Sequence, residues 1–335
     1  GDDRGAAYVY DLATGEETFK LVPSVLEDFA TFGDSVSASG AYAIVGAPLE
    51  DATGSNRGAV YVFDLTTGTE ILRLTAADGV DGDQFGFSVA LSGHHAIIGA
   101  PKQNTGRGAL YVFDLATGAQ VHKFAPGDLA TLDAFGHAVD VSGSSIVVGS
   151  LGRDEGGLNR GAAYVYDLTT GAQKFKLTAS DGADADELGQ DVAISGNLVL
   201  VSSRQQNGGT GAVYVFDLLT GGQLAKLVSS DGPANQLGIS VALDDRLAVA
   251  GAFLDAGAGF DRGAAYVFEI PDRQPDLLSG AAPGSGVGGG VFNSSAAGQT
   301  IAFTSSKLAQ VSGYITVTNS GDTGDDFDLS ATAGN

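Results

Sequence analysis

The chain has 335 residues, 51 of them glycine, a formal net charge of −23, and no cysteine, methionine or tryptophan. That charge repels phosphate backbones and anionic lipid, so neither nucleic-acid binding nor membrane insertion is expected. The absence of cysteine excludes disulfides, a thiol nucleophile and a zinc-thiolate site.

One phrase recurs six times, at steps of 53, 50, 53, 50 and 52 residues. It runs from Arg4 to Asp11 and returns at residues 57–64, 107–114, 160–167, 210–217 and 262–269. Two shorter phrases recur in the same phase, a Phe-Gly or Leu-Gly pair and a triplet of the Gly-Ala-Pro kind. The pairs begin at Phe32, Phe85, Phe135, Leu188 and Leu237, and the triplets at Gly46, Gly99, Gly149 and Gly251. Such a period indicates a repeated supersecondary unit.

Each unit predicts four short strands, here taken from the repeat that begins at Phe85. Residues 85–91 form strand one, with Phe85, Phe87, Val89 and Leu91 on one face and small residues on the other. A Ser-Gly turn leads into strand two, residues 95–100. Strand three, residues 109–113, is apolar on both faces, as expected of a strand buried between neighbouring sheets.

An Asp-Leu-x-Thr-Gly turn follows strand three, and its glycine is expected to have a positive φ at Gly68, Gly118 and Gly171. Strand four then alternates, and five of the seven lysines lie on these fourth strands. Because lysine prevents an exposed sheet edge from pairing with another chain, strand four is predicted to be the outer edge of the blade.

These units predict an all-β fold, a β-propeller of four-stranded blades. Residues 32–228 supply four complete blades, residues 6–22 only strands three and four, and residues 237–270 strands one to three. The count of blades stays open between six and seven.

The three phrases resemble the FG-GAP repeats of integrin α-subunit propellers and of many bacterial secreted proteins. The resemblance covers residues 4–270 and implies a propeller used for adhesion or ligand binding, often with calcium. Integrin-type calcium loops lie between strands one and two, where this chain has only a short turn such as Ser92-Gly93.

Composition divides the chain into residues 1–270 (propeller), 271–290 (a Gly/Pro/Ser linker) and 291–335. The last segment is interpreted as a partial Ig-like β segment or as donated strands, with strands predicted at 300–304, 313–319 and 327–332. A donated strand would fill the open inner edge of the N-terminal half-blade, within one chain or between subunits.

Acidic clusters precede several first strands. Two of them are candidate calcium sites, because hard cations bind carboxylate oxygens, and their members are Asp78, Asp81, Asp83, Asp181, Asp184 and Asp186. The alternative is a solvated turn. A further acidic cluster lies at residues 322–328, and Asn293 begins a formal glycosylation triplet.

The recurring arginines of the first phrase are expected to form structural bridges to loop carboxylates or carbonyls. The third positions of the first strands (Asp34, Phe87, His137, Gln190 and Ile239) should line the central channel but differ too much to form a repeated site. No catalytic His/Asp/Glu set, serine elbow or phosphate loop is found, so no enzyme activity is expected.

Two functions follow. The first is a non-catalytic secreted or cell-surface module for adhesion, binding or structural assembly, with a protein partner or a second copy and with a glycan as an open alternative. The second is the non-catalytic propeller of a larger secreted hydrolase. No cofactor is required, calcium stays open, and an extracellular or cell-surface location is expected. Because residue 1 is Gly and methionine is absent, we expect a piece of a longer protein.

Overall fold

The structure is a computed structural model. It describes residues 5–25, 29–51, 54–154, 157–229, 236–255 and 263–271, and the backbone of three strands between 299 and 333. The chain divides into two compact units, Gly1–Ile270 and Pro271–Asn335.

The described residues of the first unit form six antiparallel sheets, here called blades 1 to 6 in chain order. Blade 1 is β1 (Ala7–Tyr10) and β2 (Glu17–Leu21). Blade 2 is β3 (Val36–Ser39), β4 (Tyr42–Ala47), β5 (Ala59–Asp64) and β6 (Thr69–Leu74). Blade 3 is β7 (Ser88–Ser92), β8 (His95–Ala100), β9 (Ala109–Asp114) and β10 (Ala119–Phe124), with the one-turn helix α1 (Gln103–Gly106) between β8 and β9.

The later blades repeat this plan. Blade 4 is β11 (Phe135–Ser142), β12 (Ser145–Ser150), β13 (Ala162–Asp167) and β14 (Gln173–Leu177). Blade 5 is β15 (Val192–Ser195), β16 (Leu198–Ser203), β17 (Ala212–Asp217) and β18 (Gln223–Leu227), with α2 (Gln206–Gly209) between β16 and β17. Blade 6 is β19 (Leu237–Asp244), β20 (Leu247–Ala252) and β21 (Ala264–Glu269).

The second unit is described only as backbone. Its strands β22 (Gln299–Phe303), β23 (Gly313–Asn319) and β24 (Phe327–Ala333) pair in that order as an antiparallel sheet. Most of the predicted linker, Asn293 and residues 322–326 lie outside the described residues.

The all-β fold with four-stranded blades is confirmed. Strand two is found where it was predicted, and β6, β10, β14 and β18 each end their sheet as outer strands. Strand one begins at the predicted Phe135 and Leu237 in blades 4 and 6, but only at Ser88 and Val192 in blades 3 and 5. The glycine that follows Phe135 has a φ of 89°, and the pairing of β11 with β12 shifts register there, so the start of strand one is irregular.

Both faces of every complete blade are buried, as the apolar residues on both faces of strand three predicted. Tyr111 and Phe113 of blade 3 pack against Ile44 and Val62 of blade 2. The face of a blade that contacts the preceding blade, such as the face with Tyr111 and Phe113, is called the leading face. Ile97 and Val112 of blade 3 belong to the opposite, trailing face and pack against Ile146 and Tyr164 of blade 4. The core is therefore a series of junctions between blades.

Candidate functional site

The two candidate calcium loops connect blade 2 to blade 3 and blade 4 to blade 5. In both loops the first carboxylate is held by two side chains of the blade that follows. Asp78 accepts a hydrogen bond from the Tyr111 hydroxyl at 3.0 Å and pairs with the Lys123 ammonium. Asp181 repeats this with Tyr214 at 2.8 Å and Lys226 at 2.6 Å.

The same lysines lie over tyrosine rings. The Lys123 nitrogen is 5.1 Å from the Tyr111 ring centre, and the Lys226 nitrogen is 5.4 Å from that of Tyr214. Burial disfavours the charged form of Asp78 and Asp181, but the hydrogen bonds from lysine and tyrosine outweigh it and lower the pKa of both carboxyl groups. The lysines of the outer strands thus hold the loops as well as protecting the edge.

The second carboxylate of each loop pairs with an arginine of the first phrase. The distance from Arg57 Nε to Asp81 Oδ1 is 2.8 Å, and from Arg160 Nε to Asp184 Oδ1 it is 3.1 Å. The predicted structural bridge is therefore present at these two arginines. Arg4 and Arg262 lie outside the described residues.

The third carboxylate closes the loop on itself. Asp83 is buried and accepts the backbone N–H of Val80 at 2.8 Å, and Asp186 accepts that of Ala183 at 2.7 Å. Burial raises the pKa of Asp83. A turn that is fixed by a buried side chain positions the strand that follows it.

The six predicted carboxylates thus bind different donors. Within the described part of the chain, no group of three or more His, Asp or Glu side chains could hold a metal ion. The arrangement supports the interpretation of these residues as loop supports. Calcium binding by the chain stays a prediction, tested below.

A cavity of about 360 Å³ lies among blades 3, 4 and 5, where first strands begin and second strands end. Phe87, His137 and Gln190, three of the five third-position residues, line it together with Lys102, Glu187 and Arg204. Phe87 faces the cavity instead of packing with Phe85, Val89 and Leu91, which belong to the junction between blades 2 and 3.

His137 is the titratable ring in this cavity. Burial lowers the pKa of its imidazole to about 4, so the ring is neutral at physiological pH. Its Nδ1 lies 3.1 Å from the backbone oxygen of Gln190. Because a carbonyl only accepts, Nδ1 carries the proton and Nε2 is left as an acceptor. The Phe87 and His137 ring centres are 5.1 Å apart.

Three polar atoms of the cavity residues are buried without a hydrogen-bond partner: Glu187 Oε2, Gln190 Oε1 and Arg204 Nε. The Arg204 and Glu187 atoms are 3.5 Å apart, an ion pair without hydrogen-bond geometry. Unsatisfied buried polar atoms are uncommon in native proteins, and a water molecule or a ligand in the cavity would provide the missing hydrogen bonds. The sequence predicted that Phe87, His137 and Gln190 lie near the central channel. It did not predict that they line one cavity, because residues at equivalent repeat positions were expected to act separately in each blade.

Comparison with known protein families identifies the repeat that the sequence shows. A profile of the FG-GAP repeat matches five segments that together cover well over half of the chain, residues 16–63, 69–113, 119–166, 172–216 and 222–268. The chain belongs to the FG-GAP repeat family. No curated protein matches it. No helix among the described residues is long and apolar enough to span a membrane.

The structure also explains the two glycines after which the FG-GAP repeat is named. In blades 2, 3 and 4 the glycine of the Gly-Ala-Pro-like triplet faces the Phe-Gly or Leu-Gly glycine of the next blade. A Cβ on Gly46 would stand 2.1 Å from the Gly86 oxygen, and one on Gly99 would stand 2.1 Å from the Gly136 oxygen. No side chain fits there, so these glycines set how closely successive FG-GAP blades pack.

Proposed function

We propose that this FG-GAP propeller is a non-catalytic binding module, extracellular or at the cell surface, whose ligand occupies the cavity lined by His137, Gln190 and Arg204. The observation that supports this is that Gln190 Oε1, on a residue that lines the cavity, is buried without a hydrogen-bond partner, while Arg204 Nε and Glu187 Oε2 are held only by an ion pair of 3.5 Å. The cavity volume is within the range of about 300–1,000 Å³ typical of ligand pockets.

The lining favours a hydroxyl-rich ligand such as a glycan. Arg204 Nε and Lys102 offer donors, whereas Gln190 Oε1 and His137 Nε2 offer acceptors. A hydroxyl group both donates and accepts, so it satisfies both kinds of atom. The Phe87 ring adds an apolar wall against which the C–H face of a sugar can pack.

The cavity lining supports binding over catalysis. A histidine that acts as a general base needs a nucleophile within hydrogen-bond reach, and the residues that line the cavity include no serine, threonine or cysteine. His137 donates Nδ1–H to a backbone carbonyl, which leaves Nε2 as an acceptor for a ligand hydroxyl. In the alternative, a module of a larger secreted hydrolase, the chemistry would lie in another domain.

A glycan array probed with the fluorescently labelled full chain tests the proposal. We expect a defined set of glycans to bind, and Gln190→Ala and Arg204→Gln each to weaken binding by about tenfold or more. Gln120→Ala, at an exposed glutamine of the outer strand β10, is the matched control and should bind as the parent does.

Three results would contradict the proposal. These are an array without bound glycans, equal binding by the cavity variants, and mass-spectrometric release of a shortened glycan, which would make the chain an enzyme. Capture of acidic peptides that depends on Arg204 would instead assign the cavity to a protein partner. The location is tested by fractionating the source cells and probing intact cells with an antibody to the chain.

A further inference from the structure

The cavity among blades 3, 4 and 5 differs from the rest of the protein in its charge. The chain carries 40 acidic and 17 basic residues. The charged side chains that line the cavity are nevertheless two cations, Lys102 and Arg204, and one carboxylate, Glu187. His137 adds no charge at neutral pH, because burial keeps its ring neutral. The lining therefore has a surplus of one positive charge in a strongly acidic protein.

Lys102 supplies this surplus. It is an exposed residue that immediately precedes α1. The other lysines whose side chains the structure describes have a partner: Lys123, Lys174, Lys176 and Lys226 each pair with a carboxylate, and Lys20 lies over the Tyr8 ring. Lys102 forms no ion pair with any described residue. Its ammonium group is therefore available to an anion that enters the cavity.

Arg204 directly follows β16 and is held only weakly. The distance from its Nε to Glu187 Oε2 is 3.5 Å, and neither atom has a hydrogen-bond partner. A partly exposed ion pair of this kind contributes little to stability. Because a guanidinium carries five N–H donors, Arg204 can bind a ligand carboxylate while it stays beside Glu187.

The ring of His137 reports the positive charge of the cavity. Burial is the main cause of its low pKa, and the hydrogen bond to the Gln190 backbone opposes that effect. The charges of Arg204 and Lys102 lower the pKa of the imidazole further. Surroundings that disfavour a second cation favour an anion at the same place.

We propose that the ligand of this cavity is an acidic glycan, with a sugar ring that carries both a carboxylate and hydroxyl groups, as a uronic acid does. Lys102 and Arg204 bind the carboxylate. Gln190 Oε1 and His137 Nε2 accept hydrogen bonds from the hydroxyl groups of the same sugar. This inference names the ligand class of the function proposed above and rests on it.

A carboxylate fits the lining better than a phosphate does. A phosphate monoester brings nearly two negative charges, more than the single positive charge in surplus. A carboxylate brings one charge, and its two oxygens match the planar N–H fork of an arginine such as Arg204. The acceptors Gln190 Oε1 and His137 Nε2 need donors, which the neighbouring hydroxyls of a sugar provide.

The net charge of −23 acts only weakly on such a ligand at physiological ionic strength. The screening length at about 0.15 M salt is about 8 Å, so remote carboxylates are largely screened. Lys102 and Arg204 line the cavity itself and act on a bound anion at short range.

The test compares ligands that differ only in charge. The probes are oligogalacturonates and oligoglucuronates, each beside its methyl ester, which keeps the rings and hydroxyls and removes the negative charge. Isothermal titration calorimetry of the full chain gives the affinity for each at about 0.15 M salt. We expect at least one acid to bind about tenfold or more tightly than its ester.

Three variants connect this preference to the cavity. Lys102→Gln should reduce the ratio of acid affinity to ester affinity by about fivefold or more, and Glu187→Gln should raise the ratio because it removes the competing carboxylate. Lys174→Gln, on the outer strand β14 and outside the cavity lining, removes the same charge and is the control. An unchanged ratio in either cavity variant, or an equal fall in the control, would overturn the proposal. Melting should be unchanged in Lys102→Gln, because this side chain is exposed.

The outcomes separate this proposal from the function on which it rests. Equal binding of acids and esters would overturn the acidic class and leave glycan binding standing. If no glycan binds, whether acidic, esterified, neutral or sulfated, both proposals are wrong. Tighter binding of sulfated than of carboxylated oligosaccharides would overturn the carboxylate. Binding of Asp- and Glu-rich peptides instead of glycans, lost in Lys102→Gln, would assign the cavity to a protein partner.

Discussion

The carboxylate of Asp191 accepts the backbone N–H of Val241 at 2.7 Å, across the boundary between blades 5 and 6. Its other oxygen accepts the N–H of Val192 at 2.9 Å. Asp140 makes the same connection one blade earlier, to the N–H of Ile194 at 2.8 Å. Half-buried acids near the first strands thus tie successive blades together through the backbone.

Asp191 should titrate far above a free aspartate. Burial raises its pKa to about 6, against about 3.9 in an unfolded chain. The folded state then binds the proton more tightly, so the free energy of unfolding should fall as pH rises from about 4 to about 6, by up to about 3 kcal/mol from this group. Carbon-13 NMR of the side-chain carboxyl gives the midpoint directly, and a midpoint near 4 would contradict the prediction.

Asp191→Asn should remove this part of the pH dependence in urea unfolding measured at pH about 4.5 and about 7. Asp34→Asn, at an exposed position of blade 2, is the control and should leave the pH dependence as it is in the parent chain.

The loop carboxylate Asp181 should matter to stability more than its lysine does. Asp181→Ala leaves the hydroxyl of the fully buried Tyr214 without its acceptor, which should cost about 1–3 kcal/mol. Lys226→Ala removes only a partly exposed ion pair, which should cost below about 1 kcal/mol. Denaturant unfolding of both variants gives the order, and a larger loss for the lysine variant would show that the ion pair holds the loop.

Replacement of the turn glycines by alanine should destabilise the protein by amounts that differ from one position to the next. Gly118 has a φ of 69°, and a Cβ there would meet only Leu72, at 3.7 Å, so Gly118→Ala should cost about 1 kcal/mol. At Gly68 the φ is 71° and the Cβ would stand 2.5 Å from Phe19, so the cost should be greater. Gly127→Ala, with open space and no positive φ, is the control; equal costs at all three positions, measured by thermal melting, would argue against this order.

Removal of divalent cations should change the melting temperature little, because the loop carboxylates are bound by lysine, arginine, tyrosine and backbone donors. The measurement is a melt with chelator against one with millimolar Ca²⁺. A shift above about 10 °C would mean that a bound ion contributes several kcal/mol, and the acidic loops would have to be reconsidered as calcium sites.

Deletion of residues 291–335 should leave the assembled size unchanged, because the described strands β22, β23 and β24 pair with one another in a sheet of their own. Light scattering of the truncated and full chains makes the comparison. A smaller assembly after deletion would support strand donation by the tail instead.

Much of the fold could be predicted because its signals are local. The Asp-Leu-x-Thr-Gly turn, the apolar third strand and the lysine-bearing fourth strand depend on neighbours within about ten residues, and positive φ is confirmed at Gly68, Gly118 and Gly171. The alternation predicted that strand one starts at Phe85, whereas β7 starts at Ser88; in blades 4 and 6 the strand does start at the corresponding Phe135 and Leu237. Alternation of side chains does not show that pairing with strand two shifts register after this residue.

The sequence by itself determined the period, the four-stranded unit and the residues that repeat, because turn chemistry and alternation act over short distances. Tertiary structure alone decided what the side chains contact. Asp78 and Tyr111 are 33 residues apart and meet only because a loop folds over the following blade. His137 contacts the backbone of Gln190 because two blades pack side by side. Tyr61 is buried and the equivalent Tyr8 is exposed, because burial of a repeat position depends on whether another blade packs against it.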